Sequence, residues 1–346
     1  MSTPIPPDTP FDSLLEAEGV EADRSAGDAG IDGFLQQIRE TADKLARDKA
    51  TRGDVKLLAT ALRELRYCLK VFAGYRGKRK VTVFGSARTK PDHPAYRSAV
   101  AFGRHMAEAG FMVITGAASG IMEAGHVGAG RDHSFGVNIL LPFEQGANRV
   151  IHGDPKLMNM RYFFTRKLVF VKESDAIALF PGGFGTHDEA FETLTLIQTG
   201  KSHIFPVVMV DEPGGTYWHQ WRRFVEDDLL ARGYISPSDL SLFKITDSVD
   251  EAVREVTTFY RVYHSMRYVK GDLVLRLQAP LPDRVLDRVR WEFQDLVAGG
   301  TFEQVPALPP ESNEPSLAGL PRLKFRFDRH SQGRLRQLID FLNRAE

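Results

Sequence analysis

Six short apolar runs, at 81–84, 111–115, 135–141, 176–180, 204–210 and, more weakly, 242–246, punctuate the middle of this chain. Several are apolar at consecutive positions, as strands buried on both faces are. Between them, helical periodicity falls near 94–109, 120–130, 157–173, 187–200, 216–232 and 249–263. Strand and helix in alternation predict an α/β fold, a parallel sheet with helices on both sides. At 346 residues the chain can bury an ample core for one large or two modest domains.

The flanks have a different texture. Residues 1–30 hold seven acids against one base, Arg24, together with Pro4, Pro6, Pro7 and Pro10, which predicts a disordered acidic tail. Two helical patterns fill 31–76. In the second, Asp54 is the expected N-cap, and Leu58, Leu62, Leu65, Leu69 and Phe72 form a stripe that faces the core or a partner. The sheet domain is expected over 77–265. A βαββα order over 266–346 predicts a small α+β extension, with a loop across 306–321.

Composition excludes several classes. Lysine plus arginine equals aspartate plus glutamate, 45 each, so no global field recruits nucleic acid or an anionic membrane. No apolar stretch approaches the roughly eighteen residues that span a bilayer, and no basic-then-apolar leader opens the chain, so a cytoplasmic location is expected. The single cysteine, Cys68, rules out internal disulfides and reads as core. No His/Asp/Glu cluster has metal-ligand spacing.

Ligands of open α/β sheets bind beyond the carboxyl ends of the strands. Three loops hold that position here: "FGSAR" (84–88), "ITGAASGIMEA" (114–124) and "FPGGFGTHDE" (180–189). Small residues let a backbone approach an anion, and a helix start supplies free N–H groups, so these mouths predict a site for a phosphorylated ligand. No Gly-Lys-Ser/Thr ending follows Gly182–Gly185, and the first loop lacks Gly-x-Gly-x-x-Gly, which disfavours P-loop and nicotinamide chemistry.

"PGGFGTHDE" resembles the Pro-Gly-Gly-x-Gly-Thr-x-x-Glu signature of the Lonely Guy phosphoribohydrolases, proteins long mislabelled as lysine decarboxylases. The family's upstream Arg-Lys pair is matched by Arg166-Lys167 in "FFTRKLVFVKESDA". "GSA", "TGAASGIMEA" and "GVNILLPFEQ" are similar to the longer, type II members, and the matching blocks run over about 81–247. The resemblance implies a Rossmann-like doubly wound sheet and a homodimer or higher homo-oligomer. The activity it implies is hydrolysis of the N-glycosidic bond of a nucleoside 5′-monophosphate, adenosine monophosphate or a cytokinin riboside monophosphate, with no cofactor and no metal. One loop departs from the family pattern: Gly116-Ala117-Ala118-Ser119-Gly120 stands where many members have Gly-Gly-Gly-Pro-Gly, and its methyl groups should narrow backbone approach.

On that resemblance Arg166 and Glu189 are the catalytic candidates. Gly85, Ser86, Gly116, Lys167, Gly182, Gly183, Gly185 and Thr186 are the phosphate and nucleotide candidates. Each has a plainer reading. Thr186 and Glu189 have capping-box spacing. Arg166 is flanked by Phe163, Val169 and Phe170 on one helical face and so needs an anionic partner. Lys167 either meets phosphate or snorkels. Ser86 either meets the nucleotide or caps the next helix. Glu144 and Gln145 could line the cleft wall, and His187 and Asp188 are given no catalytic role. The rival function is a nucleotide-sensing module that does not hydrolyse its ligand. It draws on 322–346, where seven bases stand against three acids, which otherwise read as a solvated helix face. Decarboxylation would need a pyridoxal phosphate site, for which there is only the lone Lys167.

Overall fold

The computed structural model describes residues 31–141 and 146–345. The expected tail at 1–30 and the pair Glu144 and Gln145 lie outside them. Helices α1 (Ile31–Arg47) and α2 (Arg52–Ala73) lead into a parallel sheet. Its strands are β1 (Lys80–Phe84), β2 (Met112–Thr115), β3 (Ser134–Ile139), β4 (Leu157–Met160), β5 (Ala176–Leu179), β6 (Val207–Val210) and β7 (Lys244–Thr246). They lie in the order β4-β3-β2-β1-β5-β6-β7, and every neighbouring pair is parallel.

Side chains alternate across a strand, so a run that is apolar throughout fills two cores at once. Val81 and Val83 of β1, Ala176 and Ala178 of β5, and Val208 and Val210 of β6 face one side. There they meet α3 (Pro94–Glu108), α4 (Ile121–Ala129) and α8 (Val249–Phe259). Phe84, Ile177, Leu179, Val207 and Met209 face the other side. That core is closed by α5 (Phe163–Glu173), α6 (Phe184–Gln198), α7 (Tyr217–Phe224) and the end of α2. Helices on both faces make the doubly wound α/β architecture the alternation predicts. Each of these valine, leucine, isoleucine, phenylalanine or methionine side chains, fully buried, contributes about 1.5–3 kcal/mol.

The reading differs from the structure in three places. β4 was expected as helix; Leu157-Met158-Asn159-Met160 has no β-branched residue and only alternate burial, because it is the sheet's edge. The N-cap of α2 is Thr51 rather than Asp54: Thr51 Oγ1 accepts from Asp54 N at 3.2 Å and Asp54 accepts from Thr51 N at 2.9 Å, a complete capping box. Along the α2 stripe Phe72 and part of Leu65 reach the core, while Leu58, Leu62 and Leu69 are exposed, which leaves open the partner-facing reading of those three. The burial of Cys68 pushes its thiol up to about 12, so it is no nucleophile at neutral pH.

The third difference lies beyond α8. A strand, β8 (Tyr263–Val269), precedes the expected β9 (Asp272–Leu277), and the two form a hairpin through Lys270 and Gly271 at φ 50° and 87°. After them come α9 (Asp283–Glu292), β10 (Val297–Val305), β11 (Arg322–Phe327) and α10 (Gln332–Arg344). The antiparallel order is β10-β11-β9-β8, and its apolar face joins the second core of the large sheet. The loop at 306–321 is pinned by buried Glu311, which accepts from Arg276 and Arg322. Several bases of 322–346 are thus held internally: Arg322 by Glu311, Lys324 by Glu303, Arg326 by Asp272, Arg334 by Asp295, and Arg336 by Glu255 and Asp340. Five of the seven bases are thus paired within the chain, while Arg329 and Arg344 stand exposed.

Candidate functional site

The chain leaves β1 toward β2, β3 and β4, then returns on its other side as β5. Loops that diverge from two adjacent strands leave a crevice at their carboxyl ends. The three predicted loops meet there and are hydrogen-bonded to one another. Ser86 N donates to Pro181 O at 3.1 Å, Ile121 N to Ser86 O at 3.0 Å, and Ser119 Oγ to Ala87 O at 2.9 Å. The crossing requires glycine. A Cβ on Gly182 would overlap Thr186 Oγ1 and stand 3.0 Å from Ser86 N, and Gly120, at φ +67°, would drive one into Ser86 O. Gly85 abuts Ile121, whereas Gly183 and Gly185 are exposed with open space above them.

Helix α6 begins at Phe184, with Gly183 as its N-cap and no side-chain cap. The capping-box reading of Thr186 and Glu189 therefore fails: both residues lie inside the helix, and its first turn turns main-chain N–H groups and the positive end of its dipole toward the crevice. Glu189, one turn further in, is only 6 % exposed. Burial pushes its carboxyl up to about 7, opposed chiefly by Arg166 and then by Lys167, while Glu192 and Asp188 add to the rise.

Arg166 projects from the first turns of α5. Its Nε donates to Val137 O at 2.9 Å, its guanidinium lies 5.1 Å over the Phe170 ring, and its Nη2 occupies the place a Cβ on Gly116 would take. From this place beside the second loop, the guanidinium's charge is the chief influence lowering the Glu189 carboxyl against its burial. Lys167 is engaged elsewhere, in ion pairs of 2.8 Å to Asp188 and 2.6 Å to Glu192. Burial opposes its charge, but these two hydrogen bonds hold its ammonium above the usual lysine range. Ser86 Oγ accepts from Arg88 N at 3.1 Å in a local turn; it caps no helix, since α3 is capped by His93.

Four supporting residues escaped the sequence reading. Glu64 of α2 accepts from Arg161 N and from Thr165 Oγ1, both at 2.7 Å, and so places a carboxylate at the start of the helix that carries Arg166. Tyr217 donates its hydroxyl to Gly182 O at 2.5 Å and shares a 2.6 Å hydrogen bond with His187 Nε2. Asn148 Nδ2 donates to Ala117 O and Ala118 O, each at 3.1 Å. Buried His126, whose pKa burial lowers to about 4, bonds Phe135 O, Thr115 and Asn148. This neutral network holds Ala117 at φ 62°, a conformation costly for any residue with a Cβ. All four act across the fold, and no local motif marks them. Among the described residues no group of three or more His, Cys, Asp or Glu could hold a metal, and no helix is long and apolar enough to cross a membrane.

Comparison with known proteins finds matches to part of the sheet domain. Residues 114–256 match the family described as "Possible lysine decarboxylase". The cytokinin riboside 5′-monophosphate phosphoribohydrolase of Mycobacterium tuberculosis is 34 % identical over 103 residues, 30 % of this chain and 53 % of the relative. Cytokinin riboside 5′-monophosphate phosphoribohydrolase LOG1 of Arabidopsis thaliana is 26 % identical over 138 residues, 40 % of this chain and 54 % of the relative. The chain therefore spans about half the length of the curated relatives it matches. Among solved structures, the molybdenum cofactor carrier protein of Chlamydomonas reinhardtii aligns at 18 % identity and a TM-score of 0.36, covering 52 % of this chain and 96 % of that one. Over part of its sheet domain, this chain is similar to the cytokinin riboside 5′-monophosphate phosphoribohydrolases, the Lonely Guy proteins that its glycine-rich signature resembles.

Proposed function

We propose that the protein hydrolyses the N-glycosidic bond of a nucleoside 5′-monophosphate, releasing free base and ribose 5-phosphate. The observation that carries this reading is a buried carboxyl poised near neutrality, Glu189, opposed by the guanidinium of Arg166 beside an uncapped helix start. In the proposed reaction the bond between the anomeric carbon and the base nitrogen breaks with its electron pair on the base. Positive charge grows on the sugar and negative charge on the base. Ionised Glu189 stabilises the first and orients the attacking water, and Arg166 stabilises the second. Water supplies a hydroxyl to the sugar and a proton to the base, so the step balances without a cofactor. The amides of Gly182–Gly185 grip the 5′-phosphate beside the Thr186 hydroxyl, and this remote binding aligns the scissile bond.

Lys167 serves this site as a neighbouring charge rather than a phosphate ligand, since it is already paired with Asp188 and Glu192. Adenosine monophosphate is the first substrate to try, with cytokinin riboside monophosphates next. Incubation with a panel of nucleoside monophosphates and the matching nucleosides is expected to release base from the former, with kcat/KM roughly 100-fold lower for the latter. Tight binding of every monophosphate with no base released would favour the sensing module instead.

The proposed working form is a homo-oligomer. Helix α1 buries none of its residues, and Phe34, Ile38, Leu58, Leu62, Phe163 and Leu168 are all exposed. Apolar exposure on this scale marks an interface. Sedimentation equilibrium is expected to give at least twice the 38.7 kDa chain mass, and the double variant Leu58→Asp, Leu62→Asp is expected to sediment as single chains. A native chain that sediments at its own mass would refute the assembly.

A further inference from the structure

A cavity of about 440 Å³ opens at the opposite end of the parallel sheet, where strands begin rather than end. Its wall includes the residues just before β1 and β5, on one side, and the first strands of the antiparallel sheet on the other. Five cations line it: Arg76, Lys78, Arg79, Arg267 and Arg276. Two carboxylates, Asp175 and Glu314, answer them.

These acids are already engaged. Asp175 pairs with Arg79 at 3.5 Å, while Arg79 also stacks 3.5 Å from the centre of the Tyr260 ring. Glu314 pairs with both Arg267 and Arg276. Arg76 and Lys78 have no carboxylate partner among the described residues and stand exposed at the rim. Even with Glu311, which also pairs with Arg276, the described residues give the concavity an excess of positive charge, and concave walls focus such a field. Its volume falls within the range of about 300–1,000 Å³ typical of small-molecule sites and is too small for a nucleic-acid duplex. Several guanidiniums with one ammonium suit phosphoryl oxygens, since guanidinium binds them in pairs and ammonium as a point charge.

We infer that this cavity is a second ligand site, for a small phosphorylated compound bearing two or more negative charges. It is separate from the crevice at the carboxyl ends of the strands and does not depend on the hydrolytic reading of that crevice. Arg76 and Lys78 capture the anion at the rim, and Arg79, Arg267 and Arg276 form the floor, held in place by their carboxylates.

The test is titration calorimetry on the full chain in buffer free of phosphate and sulfate, with inorganic pyrophosphate and adenosine diphosphate as separate probes. Three chains are compared: the native one, Arg76→Ala with Lys78→Ala, and Gly185→Asp. Both alanine changes fall on exposed side chains, and a side chain on Gly185 meets open space, so all three should fold alike. The aspartate repels phosphate from the α6 start and isolates the second cavity. The Gly185→Asp chain is expected to retain binding of at least one probe, and the double variant to bind that probe at least tenfold more weakly at the second cavity. Pyrophosphate binding would mark a site for the phosphoryl group itself; binding of the diphosphate alone would mark one that needs the organic part. If neither probe binds the Gly185→Asp chain, or the double variant binds as the native chain does, the inference is overturned.

Discussion

Glu189→Gln is expected to lower base release by roughly a thousandfold, the scale on which a positioned carboxylate acts. It should also stabilise the protein at alkaline pH. The sign follows from linkage. Burial raises the carboxyl from 4.5 to about 7, so the folded chain holds this proton more tightly than the unfolded chain does. The stability this contributes is complete below about 4.5 and is lost as pH rises through about 7. Above that, the folded state carries an ionised carboxylate in a place that disfavours it, at a cost of up to roughly 3 kcal/mol. Glutamine has no such charge. Denaturant unfolding at pH 5 and pH 8 should therefore show the variant gaining on the native protein at the higher pH only. The native kcat/KM should fall about tenfold per pH unit below 7, because the ionised form reacts. A folded variant that keeps its turnover, or is less stable than the native chain at pH 8, would remove Glu189 from the mechanism.

Gly116→Ala should separate catalysis from folding. The added Cβ would overlap Arg166 Nη2 and lie 2.6 Å from Met122 Sδ, both the far ends of flexible side chains. They can swing aside at little cost to the backbone, but the guanidinium then leaves its place beside Glu189. A displacement of about 1 Å at a reacting group can cost roughly 100-fold, so kcat/KM should fall by about that factor with little change in melting temperature. Gly120→Ala is the contrasting change. Its Cβ meets backbone at Ser86 and Ala87 from a φ of +67°, so folded protein itself should be lost, by about 2–3 kcal/mol. Native activity in Gly116→Ala would mean that the observed guanidinium position is not the working one.

What could be read in the chain beforehand has a physical pattern. The strands at 81–84, 176–180 and 204–210 were legible because both their faces are buried, which makes the run continuous. β4 and β8 were not: the first is an edge strand with alternate burial, and the second is half-exposed over Tyr263–Val269. The glycine loops, Arg166 and Glu189 stood out by spacing along the chain. Glu64 could not, since its contact with Arg161 spans 97 residues. Lys167 was ambiguous because one turn of helix separates phosphate contact from pairing with Asp188, and only coordinates distinguish the two. The helix start at Phe184 moved Thr186 and Glu189 inward, and that one-turn difference removed the cap as a competing explanation.

The tyrosine behind the glycine loop has a kinetic meaning. Tyr217 holds Gly182 O while Pro181 O is held by Ser86, so the strand-to-helix turn is braced from two directions by the protein itself. On the proposed reading, the cradle is already shaped when its guest arrives. Little freedom remains to be frozen on capture, and association should run at the speed of encounter rather than wait for a flap to shut.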